Sequence, residues 1–417
     1  MRVNDAIHFC PPARVVFGCG SRAQLPGLLQ RLGYRRGVLV TDTFFAGQTP
    51  WVDEYVKAAQ ACGIETVVYE GGMPDPTTIL CDDATQTLRA QMVAPPDHVI
   101  ALGGGSNIDL AKALCLTLVD GEPVKHFVGT LSQAPKCLPL VAMPTTSGTG
   151  SEATPGAILV DPENATKVAV MDNQLRPVIA LIDPEFTYSC PPRITADAGI
   201  DALTHAVESY LTLDSSEFQR NGNPDPGYSG RSAMTMSFAR EAICLCARFL
   251  LRAYHDGSDT EARIGMAYAS HYAALSYGSS GLNAIHGIAY AVAGITHRSH
   301  GSTNAVTMPY VLDELADIRP REMLDIARIF GIMDADERAA VVKLPMLIRE
   351  IVAELGIPTT FAEFGLTQDQ LPRLVQDALQ VKRLADAFPV PDVPAAYQRI
   401  IERAFYGHLL QERAKVA

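Results

Sequence analysis

The stretch HVIALGGGSNIDLAKAL, residues 98–114, joins an apolar run to a helical pattern through the three glycines Gly103, Gly104 and Gly105. Glycines leave room where a diphosphate must approach the backbone, and the start of the following helix offers N–H groups and the positive end of a dipole. A tight strand-to-helix turn would use the same residues. The stretch therefore predicts a strand, a loop and a helix, with a phosphate-binding loop and a plain turn as the two interpretations.

The first half of the chain repeats this alternation of short β-rich runs and amphipathic helical patterns. Such alternation predicts an α/β domain with a doubly wound, mostly parallel sheet. The β-rich runs are ARVVFG (13–18), GVLVTD (37–42), IETVVYEG (64–71), HVIALGGG (98–105), LPLVAMPTT (138–146), AILVD (157–161) and VIALIDP (178–184).

From about Pro191 the strand-like runs give way to long apolar periodicities at helical spacing, as in ADAGIDALTHAVESYL (196–211). Such periodicity predicts an all-helical second domain. Since paired prolines interrupt regular elements, the double proline 191–192 suggests two domains, at residues 1–190 and 191–417. The segment 214–229 is rich in Gly, Pro, Asn and Ser, and we predict a long loop there.

Composition excludes several classes of protein. The 417 residues are 47% hydrophobic and 19% charged with a net charge of −12, which fits a globular chain and argues against nucleic-acid binding. No signal peptide or membrane-length apolar run is evident, and the nine dispersed cysteines are typical of reduced thiols. We therefore expect a cytoplasmic protein without membrane or nucleic-acid partners.

A second loop, TTSGTGS at 145–151, follows another strand, and hydroxyls at a strand's carboxyl end suit the ligand crevice of an open α/β sheet. A solvated loop is the alternative. Asp42 ends a third strand, where a carboxylate can bind the adenosine ribose and favour NAD over NADP. On spacing alone, Asp42 fits an ordinary helix cap better, because it precedes the glycines.

Asp201 and His205 in DALTHAVESY are spaced i, i+4, on one helix face. His286 and His300 lie in two further segments, and the four side chains could together bind Fe(II), Zn(II) or a similar divalent ion. Each group also has a simpler interpretation: a solvated or capping pair for Asp201 and His205, and a satisfied core histidine for His286.

Four motifs together resemble the iron-containing, or group III, alcohol dehydrogenase family. They are GGGSNIDLAKA (103–113), MPTTSGTGSEAT (143–154), DALTHAVESY (201–210), and the pair His286 and His300 ending in HGSTNA (300–305). The resemblance covers nearly the whole chain. It implies a dehydroquinate synthase-like architecture, with NAD(H) on the first domain, a metal on the second and catalysis in the cleft between them.

The resemblance assigns residues to both sites. The metal ligands would be Asp201, His205, His286 and His300. The cofactor-binding residues would be Asp42, Gly103, Gly104, Gly105, Ser106, Asp109, Thr145, Thr146, Ser147, Thr149, Ser151 and Lys167.

Tyr290 stands where many family members have a further histidine that assists proton transfer. A phenol titrates near pH 10 and accepts protons less readily than imidazole at neutral pH. The proton path could use Tyr290, His297, His271 or solvent. Tyr290, His300 and Asp201 are the expected catalytic residues.

The predicted function is metal-dependent, NAD(H)-linked hydride transfer between nicotinamide and a small alcohol or aldehyde, by a homodimer or larger homo-oligomer. A hydroxyacid–oxoacid transhydrogenase is the alternative, because the long loop near Pro224 to Tyr228 resembles a segment of such proteins. A metal-independent maleylacetate reductase fits less well, since all four ligands are present. The loop and the surroundings of Tyr277 would shape the substrate pocket, and Arg220 or Arg298 could meet an acidic group.

Overall fold

The computed structural model describes residues 7–130, 134–164, 166–220 and 222–410. These described residues form two compact units, the first within Cys10–Ser189 and Pro224–Gly227 and the second within Cys190–Asn223, Tyr228–Ala417 and Met1–Phe9. The domain boundary between residues 190 and 191 stays a prediction. The sequence did not indicate that Pro224–Gly227 would group with the first unit.

The first unit contains nine strands and five α-helices among its described residues. The strands are β1 (Arg14–Phe17), β2 (Arg36–Val40), β3 (Glu65–Tyr69), β4 (His98–Gly103), β5 (Gly129–Thr130), β6 (Leu140–Pro144), β7 (Gly156–Asp161), β8 (Thr166–Met171) and β9 (Ile179–Ile182). The helices are α1 (Leu25–Leu32), α2 (Thr43–Gln48), α3 (Trp51–Ala61), α4 (Thr78–Gln91) and α5 (Gly105–Asp120).

Six of these strands form one fully parallel sheet in the order β1-β9-β6-β4-β2-β3. Successive residues of a strand point to opposite faces, so Val38 packs with α4 and α5 whereas Leu39 packs with α1 and α3. Helices thus cover both faces of the sheet. The predicted doubly wound, mostly parallel fold of the first half is confirmed.

The AILVD run forms a strand as predicted, but this strand does not join the sheet formed by the other six runs. It lies in β7, which pairs antiparallel with β8 in a separate three-stranded sheet of order β5-β8-β7. Strand β8 itself was not predicted. Periodicity indicates that a segment is extended, but the partner of a strand depends on tertiary packing.

Every named element among the described residues of the second unit is a helix, as predicted. Its α-helices are α6 (Pro192–Leu211), α7 (Ala233–His255), α8 (Thr260–Ser280), α9 (Ala284–Thr296), α10 (His300–Leu315), α11 (Pro320–Ile329), α12 (Glu337–Glu354), α13 (Leu371–Gln380), α14 (Lys382–Ala385) and α15 (Val393–Tyr406). One hydrophobic core runs through them. Among the described helices, none combines the length and apolarity needed to cross a membrane.

The long loop between α6 and α7 is closed at its base. Backbone hydrogen bonds join Ser215 N to Arg231 O (3.0 Å) and Arg231 N to Leu213 O (2.8 Å). The Arg231 guanidinium contacts the carboxylates of Asp214 at 3.1 Å and Glu322 at 2.9 Å. The two ends of the predicted loop are therefore fixed side by side on the helical unit.

Candidate functional site

Four side chains of the helical unit converge on one point. Asp201 and His205 come from α6, His286 from α9 and His300 from the first residue of α10, and one potential ligand atom from each lies within 4.8 Å of the others. The first three are buried, while the His300 side chain is 30% exposed. The structure thus brings together the four predicted metal ligands, and His300 marks the side of the group that reaches solvent.

The Asp201 carboxylate lies between the three imidazoles. Its Oδ1 is 3.8 Å from His286 Nε2 and 3.7 Å from His300 Nε2, and its Oδ2 is 3.8 Å from His205 Nδ1. Burial acts to raise the pKa of Asp201, but the neighbouring histidines outweigh burial, and the pKa is lowered. An ionised carboxylate with three imidazoles is a donor set that suits Fe(II) or Zn(II).

Glu208, on the same helix as Asp201 and His205, supports one of these ligands. It is buried, and its Oε2 contacts Nδ1 of His286 in a short hydrogen bond. Its Oε1 accepts hydrogen bonds from the backbone N–H groups of Asn283 (3.1 Å), Ile285 (2.8 Å) and His286 (3.2 Å). Glu208 therefore binds both the first turn of α9 and the imidazole that this turn carries.

Burial raises the pKa of the Glu208 carboxyl to about 7, while the backbone N–H groups of His286, Asn283 and Ile285 act in the opposite direction. Burial also lowers the pKa of His286 to about 4. Because His286 is neutral at neutral pH, one of its ring nitrogens has a lone pair available for a metal ion.

Asn304 lies one turn after His300 and reaches the centre of the group. Its Nδ2 is 2.8 Å from Asp201 Oδ1, 3.1 Å from His286 Nε2 and 3.2 Å from His300 Nε2. The side chain is buried. Asn304 is thus a fifth polar residue in contact with the predicted ligands.

The start of α10 is fixed to α6 by Asp197, one turn before Asp201. The hydroxyls of Ser299 and Ser302 both donate to Asp197 Oδ1, the former at 2.9 Å. The backbone of Gly301 lies against the backbone of Asp197 with no room for a β-carbon. These contacts set the position of His300 relative to the α6 ligands.

Two tyrosine rings lie against the four predicted ligands, here called the ligand group. The Tyr277 ring stacks on His205 at 4.2 Å between centroids, and His205 stacks on His286 at 4.7 Å. Tyr290, one turn after His286, stacks on His300 at 5.6 Å. Tyr290 is therefore adjacent to the ligand group.

The two other candidates for proton transfer do not belong to the ligand group. His271 is buried in α8, and His297 is exposed after α9 with a φ of 53°. Arg220 donates to Ser215 O at 3.3 Å, and Arg298 lies over the Phe364 ring at 5.7 Å. These two arginines thus make contacts within the helical unit.

In the α/β unit, the two predicted loops adjoin because β4 and β6 are neighbouring parallel strands whose carboxyl ends meet at one edge. Thr145 N donates to Gly103 O at 3.0 Å. A β-carbon at Gly105 would lie 2.6 Å from the Thr149 side chain, and one at Gly104 would lie 3.6 Å from Thr146. Glycines, hydroxyls and the N-terminus of α5 therefore share this edge.

A hydrogen bond between Asp109 and Ser151 connects α5, which follows the glycine loop, to the hydroxyl-rich loop. Asp109 is half-buried, with its Oδ1 accepting from Ser151 Oγ (2.6 Å) and its Oδ2 from Ile158 N (3.0 Å). Lys112, which is buried, donates from Nζ to Thr154 Oγ1 (3.1 Å) and Gly156 O (2.8 Å). These residues hold the loops together through internal hydrogen bonds.

Asp42 adopts the capping role that its spacing favoured. Its Oδ1 accepts from Phe44 N at 3.0 Å and Phe45 N at 3.1 Å at the start of α2. Its Oδ2 accepts from Asn107 Nδ2 at 2.8 Å, and Asn107 belongs to the first turn of α5. The cap is therefore joined to the glycine loop, so capping and cofactor binding are compatible at this position.

Lys167, in β8, forms an ion pair with Asp75 at 2.8 Å. The backbone N–H of Asp75 donates to Ser106 Oγ at 3.4 Å, so Ser106 and Lys167 both contact Asp75. Ser147 is half-buried in the hydroxyl-rich loop. This edge offers the hydroxyls, backbone N–H groups and ammonium that suit a dinucleotide's phosphates.

Glu208, Asn304 and Asp197 were not predicted from the sequence. A signal for Glu208 was present, because it falls three residues after His205 in the same motif and so on the same helix face. Asn304 likewise follows His300 at i+4. Their partners lie 78 and 103 residues away, respectively, which no local pattern reveals.

Two family models match the chain. The model described as iron-containing alcohol dehydrogenase matches residues 12–184, and its C-terminal counterpart matches residues 227–402. The chain is 35% identical over 410 residues to long-chain-alcohol dehydrogenase 1 of Geobacillus thermodenitrificans, covering 96% of this chain and 98% of that one.

Two further relatives bear on the cofactor and the chemistry. The mitochondrial hydroxyacid-oxoacid transhydrogenase of Xenopus laevis is 31% identical over 391 residues, covering 87% of this chain and 82% of that one. The sulfoacetaldehyde reductase of Bifidobacterium kashiwanohense, solved in complex with NAD+, superimposes with a TM-score of 0.83 at 25% identity, covering 96% and 99% of the two chains. Similarity to solved structures over nearly the whole chain confirms the predicted architecture.

Proposed function

The chain belongs to the iron-containing alcohol dehydrogenase family, and from this premise we propose that it is a metal-dependent, NAD(H)-linked alcohol dehydrogenase or aldehyde reductase. Its substrate would be a small alcohol or aldehyde. The reaction would transfer hydride between the substrate carbon and nicotinamide.

The observation that carries this proposal is the convergence of Asp201, His205, His286 and His300 within 4.8 Å. Fe(II), or alternatively Zn(II) or another divalent ion, bound by these residues would supply Lewis-acid polarisation of the substrate oxygen. Three ligands are buried, which excludes water from most of the group, and the partly exposed His300 leaves one side accessible.

The α/β unit supports NAD(H) as the second cofactor. The glycine loop, the 145–151 hydroxyls, Ser106 and Lys167 would bind the phosphates, as the family resemblance implies. The Asp42 carboxylate, joined to this loop through Asn107, would repel the 2′-phosphate of NADP(H) and so favour NAD(H).

Tyr290 would act on the proton of the substrate oxygen through its hydroxyl. Its ring stacks on His300, on the side of the ligand group that reaches solvent. The exposed position of His297 gives it no comparable support. Family members are commonly homo-oligomers, and we extend that expectation to this chain.

Hydroxyacid–oxoacid transhydrogenation is the second candidate function. The 31% identity to the Xenopus laevis transhydrogenase supports it. In that reaction NAD would remain bound while hydride passes from a hydroxyacid to an oxoacid. The two functions differ in whether free NADH is consumed.

The test is NADH consumption by chelator-stripped protein against a panel of small aldehydes and 2-oxo acids, with and without added Fe(II). We expect turnover of at least one aldehyde that depends on the added metal. Metal-independent turnover would contradict the assigned metal role. The absence of NADH consumption on any substrate, with hydride exchange between a hydroxyacid and an oxoacid, would favour transhydrogenation.

A further inference from the structure

The contacts of Glu208 extend beyond the four ligands that the family motifs identify. We infer that Glu208 is a positioning residue that fixes His286 in the tautomer needed for metal binding, with the proton on Nδ1 and the lone pair on Nε2. This inference rests on the proposed metal-dependent function.

The two oxygens of the Glu208 carboxylate have different hydrogen-bond partners. Its Oε1 accepts from three backbone N–H groups, those of Asn283, Ile285 and His286. Three N–H donors on one oxygen favour the ionised carboxylate, because a negative charge strengthens all three hydrogen bonds. The other oxygen of that carboxylate, Oε2, contacts Nδ1 of His286, and opposite an ionised oxygen Nδ1 is the donor and carries the ring proton.

Asn304 contacts the opposite side of the His286 ring. The Asn304 amide is oriented by Asp201, because an amide oxygen at 2.8 Å from the Asp201 carboxylate would be repelled, so the amide NH₂ faces Asp201. The same NH₂ nitrogen lies 3.1 Å from His286 Nε2. An amide NH₂ only donates, so a proton on Nε2 would point at a donor, and the lone pair is favoured on this nitrogen.

The Glu208 contact at Nδ1 and the Asn304 contact at Nε2 favour the same tautomer of His286. Nε2 lies 3.8 Å from Asp201 Oδ1, whereas Nδ1 contacts Glu208. A carboxylate behind a metal-binding imidazole fixes the ring's orientation and raises its basicity, and loss of such a partner costs about 10- to 100-fold in metal affinity. Glu208 would therefore act on the metal only through His286.

Glu208→Gln isolates this role because it keeps the shape of the side chain. A glutamine can turn its NH₂ toward His286, which forces Nδ1 to accept and moves the proton to Nε2. It can instead turn its NH₂ toward the three backbone donors, which leaves them without an acceptor. Neither orientation keeps both an acceptor for the backbone N–H groups and the proton on Nδ1.

The matched control is Glu354→Gln. Glu354 also pairs with a histidine, His255 Nε2 at 2.8 Å, but this pair is exposed on the surface of the helical unit. The control removes the same charge and the same kind of hydrogen bond, without touching the ligand group.

The experiment is Co(II) titration of the full-length proteins, with the visible absorption of the bound ion and competition against a chelator as readouts. We expect stoichiometric binding by the wild-type protein and by Glu354→Gln, and about 10- to 100-fold weaker binding by Glu208→Gln. Wild-type-like affinity and spectrum in Glu208→Gln would refute the positioning role alone. A wild-type protein that binds no Co(II) would overturn both the metal function and this inference.

A second measurement does not depend on the variant folding. The ring nitrogens of ¹⁵N-histidine-labelled, chelator-treated wild-type protein report the tautomer directly by NMR, with His286→Gln used only to assign the signal. We expect His286 as the Nδ1–H tautomer. The Nε2–H tautomer would overturn the inference even if Glu208→Gln fails to fold.

Discussion

Gly301, the second residue of α10, lies so close to Asp197 on α6 that a β-carbon at residue 301 would overlap the Asp197 carbonyl group. Since His300 immediately precedes Gly301, the close approach of these two helices places one predicted ligand beside two others. The absence of a side chain at residue 301 is therefore a condition for the ligand geometry.

Gly301→Ala should weaken metal binding by at least about tenfold and destabilise the helical unit by about 1–3 kcal/mol, because the added methyl group must push α10 away from α6. Gly294→Ala is the control, because a β-carbon at this helical glycine meets no atom within 4 Å. We expect the control to be neutral or slightly stabilising. Co(II) titration and thermal unfolding check both variants, and equal behaviour of the two alanines would contradict the steric argument.

Asp42→Asn should shift cofactor preference toward NADPH, by about tenfold in the ratio of kcat/KM values, because the negative charge is lost. Asparagine is as good a helix cap as aspartate, so stability should change by less than about 1 kcal/mol. Asp336→Asn makes the same change at the cap of α12 in the helical unit. If preference for NADH is unchanged in Asp42→Asn, the selectivity resides elsewhere.

Tyr290→Phe should lower kcat by about 100-fold or more if the hydroxyl moves the proton, since general acid–base groups contribute about that much. Metal affinity should stay within about twofold of the wild-type value, because the phenyl ring can still stack on His300. Tyr290→His should retain activity at neutral pH. Steady-state kinetics over pH 6 to 10 separate these cases, and full activity of Tyr290→Phe would assign proton transfer to another group or to solvent.

The stability of the α/β unit should decrease below about pH 6.5 because of His98. Burial lowers the pKa of His98, with Asp97 acting in the opposite direction. As the pH falls, the unfolded chain therefore takes up the proton first, and stability is lost from about pH 6.5 downward to the folded-state pKa.

His98→Gln should flatten this dependence by up to about 1.4 kcal/mol per pH unit. Trp51, the only tryptophan of the chain, lies in the same unit, so its fluorescence during urea unfolding measures the effect. His126→Gln, at an exposed histidine of the same unit, is the control. Identical pH slopes for all three proteins would rule out His98 as the cause.

The sequence identified the four predicted ligands, but it did not identify the residues that hold them in position. His286 and His300 could be singled out through motifs, and the structure brings them to Asp201. The roles of Glu208 and Asn304 depend on how α6, α9 and α10 pack, and that packing joins residues 78 and 103 positions apart. The side chains were visible in the sequence, but their hydrogen-bond partners were not.

The strands show the same division. The alternation that identified β4 and β6 also identified β7, yet β7 joins a different sheet, through pairs such as Leu159 with Val168. An extended pattern indicates a strand with one or two buried faces, whereas pairing is decided by competition among all strands. The long parallel sheet was predictable because helices alternate with its strands.

All four predicted metal ligands belong to the helical unit, whereas the glycine and hydroxyl loops belong to the α/β unit. A ligand stabilises the part of a protein whose folding creates its site. Metal should thus protect the helices from proteolysis and hydrogen exchange, and dinucleotide should protect the sheet. Each unit would then be protected by a different small molecule. A shortage of the metal would expose the helical unit to degradation, and a shortage of the dinucleotide would expose the α/β unit.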